Sequence, residues 1–180
     1  LLRSQMNPHF IFNSLSSIES FIYEHQPKEA GNYLAQFARL IRLTLENSAS
    51  EYITLTTEIE TLKYYLELQK LRLNDNMSYQ IDIYLSIDTE QIFIPPMLTQ
   101  PFIENVIEHG FRGIQEQGLI NISFTKKEKY LEVKVTDNGI GYIQAQQQKE
   151  LYQTHKSRSM KITHERLKYL NRSKKQKLVF

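Results

Sequence analysis

The sequence predicts an α+β fold: an N-terminal helical hairpin followed by an α/β sandwich. Two features carry that expectation. Residues 1–74 hold only two prolines, Pro8 and Pro27, and one glycine, Gly31, and they space their apolar residues at helical intervals. Near Tyr79 the period drops to two, and helices and strands then come in groups rather than in strict βα alternation.

Each element follows from local chemistry. Ile11, Leu15, Ile18 and Ile22 fall at i, i+4, i+7 and i+11, which predicts a helix over residues 1–25 with that stripe buried. A polar stripe of His9, Asn13, Ser16 and Ser20 faces away from it. His25-Gln26-Pro27 breaks the helix, and Pro27 opens the next, since a proline at the first helical position loses no helical bond. That helix runs to about residue 48, with Tyr33, Phe37, Leu40, Ile41 and Thr44 on one side. Thr56 or Thr57 caps a third helix, Thr57 and Glu60 having capping-box spacing, and Asn74-Asp75-Asn76 ends it. Tyr79, Ile81, Ile83, Leu85 and Ile87 alternate with mostly polar residues and predict a strand with one buried face. Pro95-Pro96 precedes a helix over about residues 97–109, for which Gly110 is the expected C-terminal cap. Residues 119–124 and 130–135 read as a strand pair joined by a Lys-rich turn. Beyond them come a Gln-rich stretch at 144–153, a helix at about 160–171, and Leu178-Val179-Phe180 opening another strand.

Composition narrows the function classes. The chain has 180 residues, 41% hydrophobic and 23% charged, which suits one globular domain or one with a helical appendage. It contains no run of about 18 apolar residues. Its start, Leu1-Leu2-Arg3, has no initiator Met or secretory signal, and predicts a piece of a longer protein. The absence of cysteine excludes disulfides and Cys-ligated zinc. A net charge of +2 is too balanced to predict a nucleic-acid partner, and the six basic residues from Arg166 to Lys177 read as a solvated helix end. His9, His25, His109, His155 and His164 lack the spacing of a metal hydrolase.

Three stretches carry chemistry. In Asn7-Pro8-His9-Phe10-Ile11-Phe12-Asn13, His9 stands on the polar side near a helix start. It reads as a surface histidine beside Asn13, or as a nucleophile, since a neutral imidazole offers a ring lone pair. In Gln100-Pro101-Phe102-Ile103-Glu104-Asn105-Val106-Ile107-Glu108-His109-Gly110, Asn105 and His109 share one helix face, and Glu104 and Glu108 the adjacent one. An amide oxygen suits Mg²⁺, a neighbouring carboxylate can orient a nucleophile or water, and a histidine can reach phosphate oxygens. A plain amphipathic helix explains the same spacing. In Asp137-Asn138-Gly139-Ile140-Gly141, the glycines allow close backbone approach to a ligand and Asp137 can accept from an exocyclic amine. A β-turn explains it equally well.

Together, these stretches resemble the LytS/YehU-type sensor histidine kinases over nearly the whole chain. Residues 7–13 look like that family's phosphoacceptor signature. Residues 94–110 look like its N box, and residues 137–141 resemble the G1 box of the GHKL (Bergerat-type) nucleotide-binding fold. Glu58, Tyr65 and Arg72 fit the family's E…Y…R pattern. The resemblance implies dimerisation and phosphoacceptor helices over 1–50 and a C-terminally truncated GHKL domain with a mixed sheet over 51–180. It implies autophosphorylation of His9 from Mg²⁺-ATP and transfer to the receiver domain of a response regulator. The implied roles are nucleophile for His9, polar neighbour for Asn13, N-box acid for Glu104, Mg²⁺ ligand for Asn105 and phosphate-side residue for His109. Asp137 would recognise adenine, Gly139 and Gly141 would line the nucleotide, and 142–158 would form a lid. The family also implies a homodimer through the N-terminal helices, and a cytoplasmic position with membrane contact only through segments upstream.

Two departures are visible. Glu165-Arg166-Leu167 is present, but the preceding Ser157-Arg158-Ser159-Met160-Lys161 lacks the glycines of the family's second glycine box. The other large class of histidine kinases has an acid directly after the phosphoacceptor, where this chain has Phe10. The missing glycines motivate an alternative, a GHKL-type nucleotide-binding or signal-relay module without kinase activity.

Overall fold

The computed structural model describes residues 8–141 except for 86, 112 and 129. The Gln-rich stretch, the helix expected at 160–171, the strand expected at 178–180 and the segment before Glu165-Arg166-Leu167 lie outside these residues. The described part is α+β, with helices α1 (Pro8–Tyr23), α2 (Pro27–Ser48), α3 (Leu55–Arg72) and α4 (Gln100–Asn105). Strands β1 (Ile53–Thr54) and β3 (Phe93–Ile94) form a short antiparallel pair. Strands β2 (Met77–Ile83), β4 (Gly118–Lys126) and β5 (Leu131–Asp137) form the main sheet in the order β2-β4-β5. This sheet is mixed, β2 being parallel to β4 and β5 antiparallel to it.

The helical hairpin turns where expected. Pro27 opens α2, and His25 takes a left-handed φ of 58° in the turn. The expected stripe of α2 packs inward through Tyr33, Phe37, Leu40 and Thr44, with Ile41 beside it. The buried face of α1 overlaps the expected stripe without coinciding with it: Ile11 and Ile18 pack against the core as expected. Phe10 and Ser14 are buried and Phe21 packs against the core, while Leu15 and Ile22 of the expected stripe are exposed. The physical reason is Phe10, whose ring lies 5.1 Å from that of Tyr65 and 6.1 Å from that of Phe37. Ser14 fits the same face because the Tyr33 hydroxyl donates to its Oγ at 3.4 Å.

Helix α3 starts earlier than predicted. Thr54, not Thr56 or Thr57, is its N-cap, and its hydroxyl accepts from the Thr57 N–H at 3.2 Å. Thr54 also ends β1, so the sheet pairing selects which threonine caps. The helix lies in the middle of the molecule, burying Leu55, Ile59, Leu62, Tyr65, Leu66 and Leu68. Asn47 of α2 donates to the Thr61 hydroxyl at 3.0 Å, and the Arg39 guanidinium sits 4.7 Å from the centre of the Tyr64 ring. Asn74 and Asp75 end the run with left-handed φ angles of 50° and 58°.

The strand expected over 79–87 runs from Met77 to Ile83. Its partner fixes the limit. The Tyr84 N–H still reaches Phe124 O, after which the chain turns with a bond from Ile87 N–H to Tyr84 O and Leu85 is fully exposed. The β4–β5 hairpin matches expectation, with β4 longer at both ends and β5 starting one residue later and running on to Asp137. Gly118, Ile120, Ile122 and Phe124 alternate inward along β4, and one core runs from Phe10 through α3 to Phe124.

Candidate functional site

The site begins with Phe10. Because its ring is held in the core, the residue before it is fixed at the edge of α1, and the His9 side chain is 61% exposed. His9 Nδ1 lies 2.8 Å from Glu108 Oε1, a contact between residues 99 positions apart. The Asn13 amide nitrogen, one turn along α1, lies 3.2 Å from Nδ1 and 3.5 Å from Nε2. The expected neighbour Asn13 is therefore present, and Glu108 is an additional one.

The helix opposite His9 departs from the expected 97–109. It begins at Gln100, because buried Glu58 on α3 captures the preceding backbone. Glu58 Oε2 accepts from Met97 N–H at 2.7 Å, and Oε1 accepts from the Thr99 N–H at 3.1 Å and the Thr99 hydroxyl at 2.7 Å. Met97 itself has a left-handed φ of 56°. Burial pushes the Glu58 carboxyl above its ordinary value, and these donors pull it partly back. From Val106 to Gly110 the helix widens to a π-turn, closed by the Phe111 N–H on Val106 O at 3.0 Å. Such turns recur at functional sites.

Gly110 is not a left-handed cap, since it lies inside this turn and Phe111 terminates it. Its use is close approach. Gly110 O accepts from the Ile140 N–H at 2.9 Å, and a Cβ on Gly110 would sit 3.3 Å from Asp137 Oδ1. A Cβ on Gly139 would sit 2.5 Å from Gly110 O and 2.7 Å from Asp137 Oδ1, so no side chain fits there. Gly141 meets no described residue within 4 Å but has a φ of 78°, so its backbone conformation favours glycine. The N-box-like helix and the glycine loop are thus one joined structure.

The other expected residues divide. Asn105 is half-buried, and its side-chain amide makes no hydrogen bond among the described residues. His109 is half-buried in the π-turn. Glu104 is buried and accepts from the Gln100 amide at 3.0 Å, on the inward side of the helix, whereas Glu108 meets His9. Asp137 Oδ1 accepts from the Gly139 N–H at 2.9 Å. Behind the helix, Tyr65 is buried and accepts from the Gln69 amide at 2.7 Å. Burial, then the nearby Glu104 charge, holds its phenol well above its ordinary value.

Sequence reasoning passed over two residues. Glu108 appeared only as a face-mate of Glu104, and no local pattern pairs it with His9. Asn138 clamps the loop base, its Oδ1 accepting from Leu119 N–H at 2.6 Å and its amide donating to Gln117 O at 3.0 Å. An asparagine just after a strand and before a glycine was the available signal.

Among the described residues, no group of three or more His, Cys, Asp or Glu side chains could hold a metal ion. No described helix is long and apolar enough to cross a membrane.

Comparison with known proteins follows the same lines. Residues 1–77 match the family model described as histidine kinase. The chain is similar to the sensor protein LytS of Oceanobacillus iheyensis, 35% identical over 143 residues, covering 78% of this chain and 24% of that protein. It is similar to the sensor protein LytS of Streptococcus mutans, 33% identical over 140 residues, covering 78% of this chain and 23% of that protein. The sensor histidine kinase BtsS of Escherichia coli is 31% identical over 138 residues, covering 77% of this chain and 24% of that protein. The chain thus spans about a quarter of the length of these relatives. By these matches, it belongs to the family of LytS-type sensor histidine kinases.

Proposed function

We propose that this chain is the catalytic portion of a two-component sensor kinase, which moves the γ-phosphoryl group of ATP to His9. One observation carries the reading. His9 lies one hydrogen bond from the helix that bears Asn105, and the end of that helix is bonded to the glycine loop. A nucleophile, an amide able to serve a cation and a backbone cradle are thereby parts of one site.

The residues fit the groups that such a reaction requires. The Asn105 amide oxygen, which has no hydrogen-bond partner among the described residues, is a suitable ligand for Mg²⁺, which takes few protein ligands and completes its shell with phosphate oxygens and water. Bound there, Mg²⁺ supplies neutralisation of phosphate charge. Gly139 and Gly141 would leave room for nucleotide at the loop, Asp137 Oδ2 would accept from the adenine amino group, and His109 would face phosphate. Most of the acceleration in this chemistry comes from positioning and charge, which suits a site built on a packed helix.

In this reading, residues 1–50 form the phosphoacceptor and dimerisation part and residues 51–180 a GHKL-type ATP-binding domain. The exposed Phe12, Leu15, Ile22 and Tyr23 of α1, with Leu34 and Leu45 of α2, support pairing with a second copy in a helical bundle. The receiver domain of a response regulator would take the phosphoryl group from His9. The chain would stand on the cytoplasmic side of a membrane sensor. Incubation of the protein with γ-labelled ATP and Mg²⁺, beside His9→Gln, tests this. An acid-labile, alkali-stable label absent from the variant is expected. Nucleotide binding with no label on the wild type would overturn the kinase reading in favour of a nucleotide-responsive relay module.

A further inference from the structure

We propose that Glu108 is the positioning residue for His9, its carboxylate holding the imidazole in the tautomer with hydrogen on Nδ1 and the lone pair on Nε2. The inference rests on the reading of His9 as the nucleophile.

The Glu108 contact sets the tautomer, and the Asn13 contact is compatible with it. A carboxylate only accepts, so the 2.8 Å contact between Glu108 Oε1 and His9 Nδ1 is a hydrogen bond when Nδ1 carries the proton. The Asn13 amide nitrogen only donates. It lies 3.2 Å from Nδ1 and 3.5 Å from Nε2; with the Nδ1 proton directed at Glu108, Nε2 is the ring atom able to accept from it. A carboxylate on one ring nitrogen fixes both the orientation of an imidazole and which nitrogen is the base.

The arrangement also explains Phe10. The position after the histidine is buried against Tyr65 and Phe37, so an acid there would lose its hydration without a partner. The acid comes instead from the π-turn. Orientation of His9 by Glu108 therefore depends on α1 and that turn remaining in contact.

Released from the Asn13 amide, the Nε2 lone pair forms the N–P bond, and the bond from the γ-phosphorus to its bridging oxygen breaks with its electron pair leaving on ADP. The ring becomes cationic, and Glu108 neutralises that charge at Nδ1, where it holds or accepts the ring proton.

The test combines ring-nitrogen NMR with labelling. The protein is prepared with ¹⁵N-histidine, and His9 is assigned by comparison with His9→Gln. Wild type, Glu108→Ala and Glu108→Gln are compared without nucleotide and then in the γ-labelled ATP assay. Wild type should show a protonated Nδ1 and an unprotonated Nε2. Glu108→Ala should shift His9 toward the Nε2–H form. It should also lower the initial labelling rate roughly 10- to 100-fold, as loss of an orienting partner does, with KM for ATP held within about twofold. Glu108→Gln keeps a carbonyl acceptor and should restore the tautomer, with the rate only partly recovered. An unchanged His9 spectrum in Glu108→Ala, or an unchanged labelling rate beside a labelled wild type, would overturn this role and leave the kinase reading standing. The expected tautomer shift without any label on wild type would overturn the kinase reading and leave the tautomer control standing.

Discussion

Phe10→Ala is the sharpest test of how α1 is held. Phe10 is 3% exposed, and Phe12, two residues along the same helix, is 68% exposed. Burying a phenylalanine side chain stabilises by roughly 1.5–3 kcal/mol. The tilted contacts with Tyr65 and Phe37 add about 0.5–1.5 kcal/mol each. The sum agrees with the 3–5 kcal/mol or so measured for Phe→Ala in cores. Phe10 lies in the first turn of α1, where partial fraying can relieve the cavity, so the lower end of about 3 kcal/mol is expected. At roughly 2–4 °C per kcal/mol, thermal denaturation should move down by about 6–12 °C. Phe12→Ala, measured at a concentration where the chain is monomeric, should stay within about 0.5 kcal/mol of wild type. The same spectra should show His9 losing its Glu108 partner in Phe10→Ala and keeping it in Phe12→Ala. Equal losses for the two variants would refute the assignment of the buried face of α1, and with it the account of how His9 is presented.

Other expectations follow from the joined helix and loop. Gly139→Ala drives a methyl into Gly110 O and should cost about 1–3 kcal/mol by denaturant melt, whereas Gly141→Ala meets no atom of the described residues and should cost about 1–2 kcal/mol from its left-handed φ. Asn105→Ala should leave the melting curve within about 0.5 kcal/mol of wild type, because that side chain has no hydrogen bond to lose among the described residues, while abolishing Mg²⁺-dependent nucleotide binding in a titration. Glu58 has a raised pKa in the folded state, so the folded chain binds a proton more tightly there than the unfolded chain. Its contribution is fully present below the unfolded value of 4.5 and is lost as pH rises through the higher folded value. Denaturation against pH should therefore show a flatter slope in Glu58→Gln than in wild type above about pH 4.5.

Local chemistry made the three long helices, the β4–β5 hairpin and the glycine loop legible, because period, proline position and turn residues are properties of neighbours in sequence. The rest depended on partners far away. The inward face of α1 was legible only in part: Ile11 and Ile18 of the expected stripe meet the core, but Phe10 and Ser14 are buried through Tyr65 and Tyr33, distant in sequence. The start of α4 was set by Glu58, 39 and 41 residues before the amides it captures. β2 stops at Ile83 because its ladder with β4 ends at Phe124, although its alternation continues to Ile87. Of the site, each expected residue was legible by type. The pairing of His9 with Glu108, and the π-turn that carries Glu108, required tertiary structure.

The glycine loop is tied on both sides of Gly139, by Asn138 to β4 and by Ile140 to Gly110. A loop fastened at two points has already given up its conformational entropy when the chain folds. A ligand that settles against it has little left to order there, so its affinity is not reduced by that term. Damage to either tie should then register in two places at once, as lower stability of the free protein and as weaker binding with a larger unfavourable entropy. Calorimetry on Asn138→Ala would separate the two contributions.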